Sequence, residues 1–361
     1  MKNIYNYLLR ALGNKNSLVL ATIVHTEKSA PQIPGASALF FSGGLLCGTL
    51  GGGILEADAQ NRALDSLGKR KPLLYKLDLN SDISSEDGAI CGGEATILID
   101  PCPETHIDVF KSMNESISQG RPGVLATSIN KSRQKKVSLV RHWTEGEENS
   151  CVKSDILYEP YKKDIARSLA ENRSCFIPIE EGRISASTEA SYLFLEPVYP
   201  LPRLIIAGAG HIGRAFSHLA GLLDFEVTVI DDRPEFANKA LLPDADHIIV
   251  GDMKNALQDI SIGSNTYVAI VTRGHRGDAD ALRQCIGSEA AYIGMIGSSR
   301  KIGLMKEEFV RNRWATPDQW EQIYAPIGID IDSKTVQEIA VSIAAQVVLV
   351  RHEKPNNEKR S

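Results

Sequence analysis

The sequence predicts an α/β protein: a doubly wound parallel sheet in the C-terminal half, behind an N-terminal α+β domain. Three observations lead there. First, "RLIIA", "FEVTVIDD", "DHIIVGD", "TYVAIVTRG" and "AYIGMIGSS" are apolar strands alternating with helical stretches, the rhythm of βαβ units. Second, the earliest of these strands runs into GxGxxG, formed by Gly208, Gly210 and Gly213, and an amphipathic helix follows it. Third, the N-terminal half has hairpin and isolated-helix patterns in place of that rhythm. Three prolines, Pro197, Pro200 and Pro202, separate the two textures. The domains are therefore expected at 1–198 and 199–361.

In the N-terminal domain, "IYNYLLRAL" reads as a short amphipathic helix and "LVLATIV" as a buried strand. "SALFF" and "LLCGTL" flank Gly43 and Gly44, a hairpin turn. From Ile54 the apolar spacing becomes helical, and that helix is expected to stop at Gly68 and a basic run. "PLLYKLDL" and "EATILIDP" are further strands, and "VLATSINKSRQKKVSLVRHW" is a strand pair around a charged turn. The stretch from there to about Thr188 shows little periodicity. At the other end of the chain, Thr335 and Glu338 have the spacing of a capping box on the last helix.

Composition bounds the function. The chain has 361 residues, enough for two cores, and a net charge of -5. No segment is strongly basic, so nucleic-acid binding has no electrostatic footprint. No apolar run reaches the roughly 18 residues of a membrane span, and the first residues lack a signal-peptide pattern. A cytoplasmic protein is expected. The six cysteines form no CxxC pair, so free thiols are expected and no zinc site is readable. GxSxG, P-loop and HExxH motifs are missing, and no nucleophile stands with an evident base. A non-catalytic accessory protein is the expectation.

Candidate binding residues fall into two groups. In GxGxxG, Gly208 allows the tight turn, Gly210 lets a phosphate approach, and Gly213 packs helix on strand. The free N–H groups and dipole of that helix start then face an anion. Asp231, at the end of the second strand, stands where an acidic residue meets a ribose hydroxyl. With a strand order of 3-2-1-4-5, His211 and His275 would flank one crevice at the switch point. Asp278 is expected as a helix N-cap, and Arg300 and Lys301 either meet an anion or are solvated.

The second group is "CGTLGGGILE". Gly51, Gly52 and Gly53 precede a helix, either as an anion nest or because the turn needs positive φ. Glu56 in the first helical turn answers the dipole or accepts hydrogen bonds from a ring N–H. Cys91, beside two glycines, is either a reactive thiol or a small buried hydrophobe.

Together "IPGASALFFSGGLLCGTLGGGILEADA", "CGGEATILIDP", "IAGAGHIGRAF", "VTVIDDRPEFA", "VTRGHRGDADALR", "YIGMIGSSRK" and "APIGIDI" resemble the xanthine dehydrogenase accessory proteins, the XdhC/CoxI family. The resemblance spans most of the chain and is weakest over about 128–190. It implies binding of molybdenum cofactor, its protection during sulfuration, and delivery to apo xanthine dehydrogenase. It also implies contact with a cysteine desulfurase and self-association as a homodimer. On this expectation one glycine-lined helix end takes the pterin phosphate, and the wall with Glu56 and Cys91 meets the ring or metal end. Gln32 stands where relatives often carry an arginine, and "GGGILE" lacks the cysteine that another branch places before the glutamate. Two other readings stay open: an NAD(P)-dependent oxidoreductase, and a regulatory module that senses a nicotinamide nucleotide.

Overall fold

The computed structural model describes residues 4–13, 17–28, 30–79, 93–146, 159–179 and 188–352. They divide into two units, Lys2–Pro200 and Leu201–Ser361.

The N-terminal unit contains two antiparallel sheets. The first is built from β1 (Val19–Lys28), β2 (Ser37–Phe41), β3 (Gly44–Gly48), β4 (Leu73–Asp78) and β5 (Gly93–Asp100), in the order β3-β2-β1-β5-β4. Its central strand β1 is buried on both faces, which is why its sequence reads as a continuous apolar run and not as an alternation. Val19, Ala21 and Ile23 pack against Leu55, Ala59 and Ala63 of α2 (Gly53–Lys69). On the other face, Leu18 and Leu20 meet Tyr5 and Leu8 of α1 (Ile4–Gly13) and Phe110 and Met113 of α3 (Ile107–Ser118). The helix α2 runs past Gly68. Its C-cap is Arg70, at φ 50°, whose N–H donates to the Ser66 carbonyl.

The second sheet consists of β6 (Gly123–Ser132), β7 (Val137–Glu145), β8 (Cys175–Pro178) and β9 (Thr188–Val198), in the order β7-β6-β9-β8. Both α4 (Lys162–Ala170) and β8 lie in the stretch where the sequence shows little periodicity. Pro197 is part of β9, opposite Val124, so the proline cluster begins inside the strand.

A polar network is enclosed in this unit. Tyr5 donates to Glu196 at 2.6 Å, and Arg141 pairs with Asp100. Burial pushes the Glu196 carboxyl up to about 7, against the opposing pull of the Tyr5 hydroxyl and the Arg141 charge. Between its ordinary value of 4.5 and about 7, the native state therefore holds a proton that the unfolded chain has released. The contribution of this group to stability must fall as pH rises through that window. Glu196→Gln is expected to flatten the fall and to be the more stable form above pH ~7, as read from urea unfolding at several pH values. Equal slopes in both proteins would disprove the assignment.

The C-terminal unit is a single parallel sheet of β10 (Arg203–Ala207), β11 (Glu226–Asp231), β12 (His247–Val250), β13 (Thr266–Ile270) and β14 (Tyr292–Met295). Its order, β12-β11-β10-β13-β14, is the doubly wound arrangement expected from the βαβ rhythm. Side chains alternate across it. Leu204 and Ile206 face α5 (His211–Leu222) and α10 (Val336–His352). Ile205 and Ala207 face the side of α6 (Met253–Gln258), α7 (His275–Cys285), α8 (Ser299–Arg311) and α9 (Pro317–Glu321). The capping box on α10 forms: Glu338 accepts from the Thr335 N–H at 2.8 Å. Among the described residues no helix is long and apolar enough to cross a membrane.

Candidate functional site

In the N-terminal unit, Gly51, Gly52 and Gly53 occupy successive positive φ values of 107°, 73° and 59°. The turn thus requires glycine for conformation. It also leaves space: no atom lies within 4 Å of a Cβ built at Gly52 or Gly53. Gly51 is different, since a Cβ there would sit 2.8 Å from Pro31 and 3.2 Å from Gln32. The "APQIPG" loop is therefore the wall against which the turn closes, and Gln32 stands beside it. As the start of α2, the turn leaves the N–H groups of Gly52, Gly53 and Ile54 without an acceptor among the described residues.

Glu56 holds this turn. Its Oε2 accepts from the Thr49 hydroxyl at 2.7 Å and from the Leu50 N–H at 2.8 Å. Thr49 Oγ1 in turn accepts from the Gly51 N–H at 3.0 Å. The Oε1 of half-buried Glu56 has no partner among the described residues. Among the described residues, one carboxylate oxygen thus braces the loop while the other has no partner, beside three N–H groups without an acceptor. That combination offers donors and an acceptor to a flat polar ligand. Thr49 is not legible as part of the site in the sequence, because nothing in its context distinguishes it from other turn threonines. Cys91 lies outside the described residues.

In the C-terminal unit, the three glycines of GxGxxG have separate jobs. Gly208 stands at φ 115°, and a Cβ there would lie 2.6 Å from the Val271 carbonyl oxygen. A Cβ at Gly213 would stand 1.8 Å from the Gly208 carbonyl oxygen, so helix α5 packs directly on the turn. Gly210, the N-cap of α5, has open space around it, and the N–H groups of Gly210, His211 and Ile212 have no acceptor among the described residues. A helix start of this kind has the donors and the dipole that an anion requires.

Asp231 ends β11 beside that turn, yet its carboxylate is engaged. Its Oδ2 accepts from the Ala209 N–H at 2.7 Å and from Arg233 Nη2 at 2.9 Å. Its Oδ1 accepts from the Arg233 N–H at 3.0 Å and from Arg233 Nε at 2.8 Å. Burial alone would raise its pKa, but the hydrogen bonds from Arg233 and Ala209 outweigh it and hold the carboxyl below the usual range. The guanidinium stacks on Phe236, 4.0 Å from the ring centre. The signal for Arg233 is present in "DDRPEF", two residues past the strand.

His211 and His275 line two different hollows. His211 borders one of about 600 Å³ with Arg214, Ser217, Leu242 and Val341. His275 borders one of about 540 Å³ with Arg300, Lys301 and Arg311, and its Nε2 lies 3.0 Å from Glu308. The N-cap of α7 is Gly274, not Asp278. Asp278 sits one turn inside, fully buried, and accepts from Thr272 Oγ1 at 2.6 Å and from Lys301. Desolvation raises its pKa in spite of those partners. A carboxylate in the first turn reaches back to the preceding loop, so its helix-start signal marks a place one turn beyond the true cap.

Among the described residues no cluster of His, Cys, Asp and Glu has the makings of a metal site. Cys285 is buried, and its thiol is pushed up to about 12 by desolvation, so it is inert.

With this geometry in place, comparison with known proteins is informative. A family model described as the XdhC Rossmann domain matches residues 204–347, and one described as the XdhC and CoxI family matches residues 11–78. A Bacillus subtilis protein whose name makes it a probable xanthine dehydrogenase subunit is 24% identical over 354 residues, covering 97% of this chain and 98% of its own. The Escherichia coli "Uncharacterized protein YqeB" is 31% identical over 155 residues, 43% of this chain and 28% of its own length. A crystal structure of a xanthine dehydrogenase from Bacillus halodurans superimposes with a TM-score of 0.72 at 26% identity, over 99% of this chain and 98% of that one. The glycine turn before α2 falls within one matched region and GxGxxG within the other, and both models bear the same family's name: the chain belongs to the XdhC and CoxI family.

Proposed function

We propose that this protein is an accessory factor in the maturation of a xanthine dehydrogenase-type molybdenum hydroxylase, and that it carries the molybdenum cofactor as cargo. The observation that carries the reading is the glycine turn before α2. Bare backbone at Gly52 and Gly53 can lie against a flat ring, where any Cβ would hold it off. The three free N–H groups suit the ring's carbonyl or an anionic oxygen. The open Oε1 of Glu56 suits a ring N–H or amino group. The cargo's reactive chemistry is its dithiolene-held metal, and the chain's own part is to bind, orient and shield it. The names of the Bacillus relatives tie those proteins to xanthine dehydrogenase and support the same client for this one. In this reading the partners are the apo-enzyme and a cysteine desulfurase, and the chain acts as a homodimer without turnover of its own.

The test is pterin content. Protein purified from a host that makes molybdenum cofactor is denatured, the released material is oxidised, and pterin fluorescence is read against protein. Stoichiometric pterin is expected for the wild type. Glu56→Gln keeps an acceptor for Thr49 and Leu50 but removes the charge, and should weaken retention about tenfold, roughly 1.4 kcal/mol. A wild type that carries no pterin and releases a nicotinamide nucleotide would overturn the reading in favour of an NAD(P)-dependent oxidoreductase or a nucleotide-sensing module.

A further inference from the structure

The Rossmann turn is open at one end and shut at the other. At its anion end a Cβ built at Gly210 meets nothing within 4 Å, and the N–H groups of Gly210 and His211 have no acceptor among the described residues. Its ribose end is Asp231, which is 2% exposed and already accepts four hydrogen bonds, three of them from Arg233. An ionised carboxylate has about four acceptor positions. All four are used, so a vicinal diol can be received only if the guanidinium leaves. Leaving is opposed on three sides. The contact is fork-like and charge-assisted, the strong class of such bonds. The guanidinium is pinned on Phe236 at 4.0 Å. Its departure would leave a buried carboxylate with only the backbone N–H groups of Ala209 and Arg233 and no counter-charge. The neighbouring Asp232 is no substitute, because it points to Arg273 at 3.2 Å and to Arg233 at 3.8 Å.

We propose that Arg233 is the specificity-determining residue of this turn: by occupying Asp231 it excludes NAD(H)-class ligands, which anchor an unsubstituted ribose diol there, and leaves the turn to ligands that bring a phosphate without that diol. The same chain segment that supplies the dinucleotide fingerprint thus disables half of it. This does not depend on the cofactor-carrier reading, since a preparation that holds neither pterin nor a nicotinamide nucleotide overturns that reading and leaves this one intact.

The experiment is a fluorescence titration with NADH on the full-length protein, wild type against Arg233→Ala, Arg233→Lys and the double variant Asp231→Asn with Arg233→Ala. Circular dichroism checks that each is folded. Arg233→Ala should bind NADH at least about tenfold more tightly than wild type. Arg233→Lys, a point charge that cannot make the fork, should fall between them. Adding Asp231→Asn should remove the gain, which ties it to the freed carboxylate and not to a looser turn. Wild type that binds NADH as well as Arg233→Ala does, or equal failure of both, would overturn the proposal.

Discussion

Gly213→Ala is expected to destabilise the C-terminal unit by about 3 kcal/mol or more, a fall of roughly 6–12 °C in its melting temperature. The added Cβ would lie 1.8 Å from the Gly208 carbonyl oxygen and 3.0 Å from its carbon. Both are backbone atoms, so no side chain can swing away to make room. Either α5 lifts off β10 or the turn opens, and either movement breaks the apolar contact of Phe216 and Ala220 with the sheet. Gly210→Ala is the control. It sits three residues earlier in the same motif, at φ -65°, with nothing within 4 Å of its Cβ. It should cost no more than about 1 kcal/mol, the loss of a tolerable N-cap. Thermal unfolding, with hydrogen exchange over 204–222 to place the damage, reads both. A Gly213→Ala protein that melts with the wild type would show that helix and turn are not in that contact.

Arg141→Met should destabilise the N-terminal unit by about 3–5 kcal/mol. The side chains of Arg141 and Asp100 are 3% and 2% exposed, and the pair joins β7 of the second sheet to the end of β5 in the first. Asp100 also accepts from the Cys102 N–H at 3.0 Å, and Arg141 lies 3.3 Å from His106 Nδ1 and 5.4 Å from the Phe110 ring centre. Burial, reinforced by the Arg141 charge, holds His106 below its ordinary pKa, so in the native protein the arginine is the cation that answers Asp100. Removing the arginine therefore strands a buried carboxylate. Adding Asp100→Asn should recover much of the loss, because the neutral amide no longer needs a counter-charge. Urea unfolding of the two singles and the double measures the coupling. A double variant as unstable as the sum of the singles would rule the pair out.

These two expectations differ in where they are visible. The Gly213 contact is legible in the sequence, because GxGxxG after a strand and before a helix has one geometry that works. Arg141 and Asp100 stand in ordinary strand contexts 41 positions apart, and only the packing of one sheet against another makes them partners. The candidate site divides in the same way. Gly51, Gly52, Gly53 and Glu56 are visible as a run of bare backbone before a helix. That Thr49 clamps Glu56, and that the "APQIPG" loop walls in Gly51, follow from a chain reversal that no local pattern records. In the middle of the chain, α4 and β8 escape a reading by period because each is short and half-buried, so neither imposes a repeat on the sequence.

By itself the sequence determined the doubly wound sheet, the two glycine-rich helix starts and the family, since these rest on periodicity, on backbone conformations open only to glycine, and on motifs a few residues long; the strand order came with the structure. The tertiary structure alone decided what each polar group is free to do. Asp231 carries the position of a ribose ligand in the sequence, and is withdrawn from that role by an arginine two residues away. Asp278 reads as a helix cap and is instead a buried partner of Lys301. The physical reason is the same for both. A carboxylate's position follows from local spacing, but its availability depends on which donors the folded chain brings within about 3 Å of it, and hydrogen bonds saturate.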